Sequence, residues 1–251
     1  MPSHKQTPAN PNENAERQWK GMYTLGGITA LIVIAGTILD ILLGTIMGGD
    51  LSAIPKTAVD RFAQFQNNPL LGLYNLDLLN LCTSVLIIPT YFALYAAHRR
   101  IHLSYVKLAL LIFAIGTAVF AANNTALPML ALSRNYSAST VEAQRNLLAA
   151  AGEAMLARGA HGSPGAFPGF ILSSIASIIM SVGMLKGRIF SKANAYFGIL
   201  GGILLMVYLI LVTFVPAVET AAMMIAAPGG LLSLAWIIMF TIRLFKLRRA
   251  E

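Results

Sequence analysis

Two carboxylates lie inside long apolar runs, Asp40 and Asp77. An ionisable side chain is expensive within a bilayer and marks a functional site by default. Asn80 follows Asp77 by three residues, which puts the two on one helix face, and Ser84 continues that face a turn further. The next apolar run carries Asn123 and Asn124. At the helical rise, Asp40 falls about 10 Å, Asp77 about 12 Å and the two asparagines about 13 Å from the same end of their helices. Asp40, Asp77, Asn80, Asn123 and Asn124 therefore form the candidate ligand-binding set. The carboxylates offer charge or a proton, and the amides offer orientation. Two readings stand side by side. One is an outward-opening polar pocket for a small solute, a lipid headgroup or a coupling cation. The other is a buried hydrogen-bond network that fixes helix register, in which each bond contributes about 0.6 kcal/mol.

The elements that position these residues follow from composition. Of 251 residues, 57% are hydrophobic and 11% charged, less than half the roughly 25% charged share of a soluble domain. A span needs about 20 mostly apolar residues. Six such runs are found: 22–47, 69–97, 103–132, 166–185, 196–217 and 221–245. The fold class is an all-α polytopic bundle of six transmembrane helices. A polar tail, 1–19, rich in Pro, Asn and Gln, precedes it and is expected to be disordered. The transmembrane domain occupies 20–247, and 248–251 is a basic tail. The first run lacks the pattern of a cleavable signal and reads as a retained signal-anchor.

Charge sets the orientation. The termini and the two even loops hold 13 of the 18 Lys and Arg residues; the other side holds Lys56, Arg61, Arg134, Arg145 and Arg158. The positive-inside rule then puts both termini in the cytoplasm and the protein in the cytoplasmic membrane.

Small residues mark the packing faces. Gly165, Gly169, Ser173, Ser177 and Ser181 recur every four residues; Gly36, Asp40, Gly44 and Gly48 do the same, and the fifth run offers Gly198, Gly201 and Gly202. Pro128 and Pro216 sit where a kink widens a cavity, and Glu219 stands at the outer end of the sixth run. Two external amphipathic helices are expected. One covers 57–66, capped by Thr57 with Asp60 and lying flat at the interface with Phe62 and Phe65 on its apolar side. The other covers about 140–158, with Ser139 and Glu142 in a capping box, lying over the outer mouth as an interfacial helix or a lid. It ends in the Gly/Pro-rich stretch that begins at His161.

Several chemistries lack their residues. The one cysteine, Cys82, cannot form a disulfide within the chain or a thiolate cluster, and reads as packing. His98 and His102 share a face beside Arg99 and Arg100, a setting that suits a headgroup better than a metal. Hydrolase, zinc-protease and phosphate-loop motifs are absent from the sequence. No catalytic residue, metal or cofactor is assigned.

The ensemble resembles the prokaryotic membrane protein family of domain of unknown function 4386. The likeness lies in the segment with Phe62, Phe65 and Asn68, in Leu76-Asp77-Leu78-Leu79, in the Ser/Ala-rich helix from Gln144 to Ala157, and in the Gly187-Arg188 turn before a Gly-rich helix. The resemblance implies a six-helix integral membrane protein of bacterial or archaeal type and supplies no activity to carry over. The leading expectation is a binding or transport-associated protein for a small solute or lipid. The alternative is a structural or regulatory subunit of a membrane complex, and a lipid-acting enzyme comes third. Membrane lipids are the expected partners; nothing points to nucleic acid, and no protein partner is named.

Overall fold

The computed structural model describes residues 11–46, 54–101, 104–215 and 217–250, and the side chains of 11–18, Glu219 and Ala250 lie outside that description. The expectations placed on residues 1–10, Met47, Gly48, His102 and Pro216, and on the Glu219 side chain, therefore fall outside the described residues.

Among the described residues six helical stretches are long and apolar enough to cross a membrane. α1 (Pro11–Ile46) crosses from Trp19 onward. Its start at Pro11 makes the last residues of the expected disordered tail helical. The second span is α4 (Leu78–Leu86) followed by α5 (Ile88–His98). The third is α6 (Ser104–Asn123) continued by α7 (Ala126–Ala138). The last three are α9 (Phe167–Gly187), α10 (Lys192–Phe214) and α11 (Glu219–Ala250). An even number of spans puts the start of α1 and the end of α11 at one end. α2 (Ala58–Asn67), α3 (Pro69–Tyr74) and α8 (Glu142–Gly159) join α7 in a cap at the other.

Small residues bring the spans together. α6 packs on α9, α9 on α10, α10 on α11, and α11 and α5 on α1. A Cβ on Gly169 would lie 2.7 Å from Phe120 Cβ and 2.9 Å from Phe120 main-chain atoms. Gly198 abuts Ser181 and Trp236, Gly202 abuts Ser177 and Ile178, and Gly36 meets Thr83. The expected stripes are thus helix–helix seams. Between them Tyr91 stacks on Phe113 at 3.8 Å between centroids, with Trp236 and Phe240 completing the aromatic centre. His98 belongs to this core: it is 1% exposed, bonded through Nδ1 to the Leu94 carbonyl and stacked on Phe190, so it is not a headgroup contact. Cys82 is exposed on α4 instead of packed.

The cap has its own core of Phe62, Phe65, Leu76, Met129 and Leu156. The Thr57 hydroxyl accepts the Asp60 N–H at 3.2 Å, as its spacing predicts. α2 nevertheless turns Phe62 and Phe65 onto protein, against Gly152 of α8 and Gly72 of α3. The Ser139–Glu142 box does not form. Val141 precedes α8 without a side-chain cap, and the Ser139 hydroxyl bonds the Val141 carbonyl and Gln144 Oε1.

Candidate functional site

Two spans break where the polar residues cluster. The second apolar run was expected to be one helix from residue 69; it is interrupted at Asn75–Asp77 and again at Ile87. Pro89 accounts for the second interruption, since a proline at position i removes the bond to the carbonyl at i−4 and crowds it. Pro128 does the same to the third run, which stops at Asn123 and restarts at Ala126. The 20 residues of α6 alone rise about 30 Å, the thickness of a hydrocarbon core. Asp77 consequently stands immediately before its span, Leu78–Ile101, and not 12 Å inside it, whereas Asn124 stands at the break within the third span, Ser104–Ala138.

A broken helix leaves backbone groups to satisfy. The Asn124 side chain answers for both breaks: its Nδ2 donates to the Leu76 carbonyl at 2.9 Å, and its Oδ1 accepts the Ala126 N–H at 3.2 Å. Arg158, at the end of α8, donates to the Ala122 carbonyl at 2.6 Å and to Asn123 Oδ1 at 3.1 Å. That places a cation at the negative end of α6.

Asp77 itself is 7% exposed and left-handed, with φ 59° and ψ 26°. A non-glycine residue held there costs about 1–3 kcal/mol, and such strain concentrates at functional sites. The turn aims its carboxylate at two donors. Asn80 Nδ2 donates to Oδ1 at 2.8 Å, and His161 Nδ1 lies 2.9 Å from Oδ2. His161 Nε2 lies 2.7 Å from the Tyr208 hydroxyl, and the imidazole meets the Phe170 ring edge-on. The loop after α8 positions this histidine: Gly162 turns it with φ 76°, and Gly159 fits against the Asn123 carbonyl and Thr125, where a side chain has no room.

The Asp77 carboxylate holds the His161 pKa up at about 10 against the opposing effect of burial, with the Asp77 and Tyr208 bonds adding to the rise. The group is an imidazolium at neutral pH and donates from both nitrogens. A base held this firmly in its protonated form is poorly matched to general base catalysis near pH 7. The residues fit recognition better than proton abstraction.

A cavity of about 230 Å³ opens beside the histidine. Its walls are Ile54, Pro55, Lys56, Arg61, Asn75, Leu156, Ala160, His161 and Val212. Arg61, on α2, is 5% exposed. Burial lowers its pKa to about 10, with Asp77 partly offsetting the fall, so it stays cationic at neutral pH.

Of the five residues singled out in the sequence, Asp77 and Asn80 bond one another, Asn124 binds the Asp77 turn, and Asn123 holds Arg158. Asp40 stands apart from these bonds; its main-chain oxygen accepts from the Tyr74 hydroxyl at 3.2 Å. His161, Tyr208 and Arg61 were missed. The sequence signal for His161 was a lone histidine in a Gly/Pro-rich loop, and Tyr208 and Arg61 had none beyond their type. Among the described residues no group of three or more His, Cys, Asp or Glu side chains is placed to hold a metal ion.

One family model matches the chain, over residues 25–243: Domain of unknown function (DUF4386). The chain belongs to this family. The match runs from the first span to the last and takes in the cap, the broken helices and the cavity. Neither the curated proteins nor the solved structures yield a significant match. The family establishes kinship, the six apolar helices give the multi-pass membrane architecture, and the functional reading rests on the site.

Proposed function

We propose that this DUF4386 protein is a binding or transport-associated protein that receives a small solute or a lipid headgroup in the cap cavity. The observation that carries the reading is the meeting of that cavity with the Asp77–His161–Tyr208 chain at the point where two spans break. Discontinuous spans expose backbone dipoles and polar side chains where a ligand can use them, and membrane transporters place their sites at such breaks. The strain held at Asp77 supports the same reading. With the basic excess at the end carrying the termini, the cap faces outward from a cytoplasmic membrane.

The test is native mass spectrometry, with lipid and metabolite extraction, on gently purified protein beside Asp77→Asn and His161→Gln. A defined molecule retained by the wild type and lost from both variants supports the reading. A wild type that retains none, together with variants that are simply less stable, supports the structural-subunit alternative. That alternative has its own observation: Asp77 and Asn124 find their partners within the protein.

A further inference from the structure

The cavity wall carries a charge that the described residues leave uncompensated at close range. Arg61 is 95% buried by exposure, and its Nε has no hydrogen-bond partner. Among the described residues its guanidinium reaches only the neutral Gln64 Oε1, through Nη1 at 3.4 Å. Among the described residues Arg61 forms no ion pair. The nearby carboxylates among the described residues serve other groups. Asp77 accepts from His161 and Asn80, Asp60 from Thr57, and Glu153 Oε1 from the Ala58 N–H at 2.6 Å. Removing a charge from water is costly unless an opposite charge and hydrogen bonds replace the lost hydration. Lys56 lines the same cavity, and so does His161, whose positive charge is already met by Asp77. Among the described residues no carboxylate lines it.

We propose that the cap cavity takes an oxyanion, the phosphate or carboxylate group of a small ligand, on the Arg61 guanidinium, with Lys56 and Asn75 as further donors. This inference rests on the binding reading above and names its chemical class. Arginine suits the task because its planar fork matches the oxygens of either group. At about 230 Å³ the cavity admits such a group with a short substituent and is smaller than a drug-sized site. The oxyanion can arrive on a free solute or as the headgroup phosphate of a lipid.

The experiment uses the full chain in a non-ionic detergent at constant ionic strength, with chloride balancing the probe. Thermal unfolding is followed against inorganic phosphate and against acetate. In parallel, the protein in nanodiscs of phosphatidylglycerol or of phosphatidylcholine is examined by native mass spectrometry. The expected result is a saturable rise in Tm with a free oxyanion, or selective retention of phosphatidylglycerol, and either result identifies the source. Arg61→Gln weakens that response about tenfold or more, as loss of a charge-assisted bond does. Arg61→Lys keeps part of it, and Lys56→Gln, at an exposed residue, weakens it without touching the cap core. A wild type that responds to none of these probes overturns the proposal, as does an Arg61→Gln protein that is folded and responds equally. The two readings fail separately. A neutral or cationic molecule that co-purifies and is lost in His161→Gln overturns the oxyanion while leaving the binding site standing. Absence of any ligand overturns both.

Discussion

Replacing Asp77 by Asn removes a charge and keeps the shape of the node. The amide oxygen can still accept from Asn80 or His161, so the perturbation falls mainly on the imidazolium. The wild-type pKa of about 10 lies well above the ordinary 6.5. Without the carboxylate, only the smaller effect of Tyr208 opposes burial and the value falls back toward 6.5. The full gap corresponds to about 4–5 kcal/mol. The His161 side chain is 26% exposed, so solvent screening reduces this to about 2–3 kcal/mol, near the lower end for breaking a buried pair. By the scaling of domains of this size, Tm falls by about 5–10 °C.

The pH dependence has a definite sign. Protonated His161 is favoured in the folded state, so its contribution is complete below pH 6.5 and is lost as pH rises through about 10. The charged or polar groups that face it are Asp77, Tyr208, Asp40 at longer range and, across the cavity, Arg61 and Lys56. Thermal unfolding in mild detergent, followed by tryptophan fluorescence at pH 6, 8 and 10, is the assay. The gap between wild type and Asp77→Asn should be widest at pH 6 and nearly closed at pH 10. A gap that is absent at pH 6, or constant across the three values, refutes the ion pair as the cohesive element of this node.

Other expectations follow from the same contacts. Asn124→Ala leaves the carbonyl of the buried Leu76 unpaired, so it should cost about 1–3 kcal/mol. Cap helices should then exchange amide protons faster than the α9–α10 seam; equal protection would contradict the role given to Asn124. Gly169→Ala forces a Cβ into the Phe120 main chain and should lower Tm by several degrees, whereas Gly21→Ala, with open space around it, should leave Tm unchanged or slightly raised. Equal behaviour of the two would mean the α6–α9 seam is looser than described.

The spans were legible because each is a continuous apolar run, and their seams because small residues recur every fourth position. Thr57 and Asp60 gave away the start of α2 by local spacing alone. The breaks were hidden by the same apolar continuity that revealed the spans. Pro89 and Pro128 were visible, yet nothing local says that Asn124 closes the turn before Asp77, 48 residues away. His161 reaches Asp77 across 84 residues and Tyr208 across 47. Such pairings arise from tertiary packing and leave no periodicity to detect. Arg61 counted only as one of the five basic residues of the outer side, and it is buried because the cap encloses α2. Asp40 and Asp77 looked equivalent by depth. Only the turn at residues 75–77 separates them, putting one in the node and the other beside Tyr74.

The most direct test of the cavity as a binding site is to fill it without touching its charges. Val212 lines the cavity from α10 and takes part in neither the Asp77–His161 contact nor the Asn124 stitch. The mass of any molecule co-purifying with wild type and with Val212→Trp, compared by native mass spectrometry at matched Tm, gives the answer. The expected result is a defined molecule on the wild type and its loss from the filled variant while the fold persists. The same molecule retained at the same occupancy by Val212→Trp would contradict it.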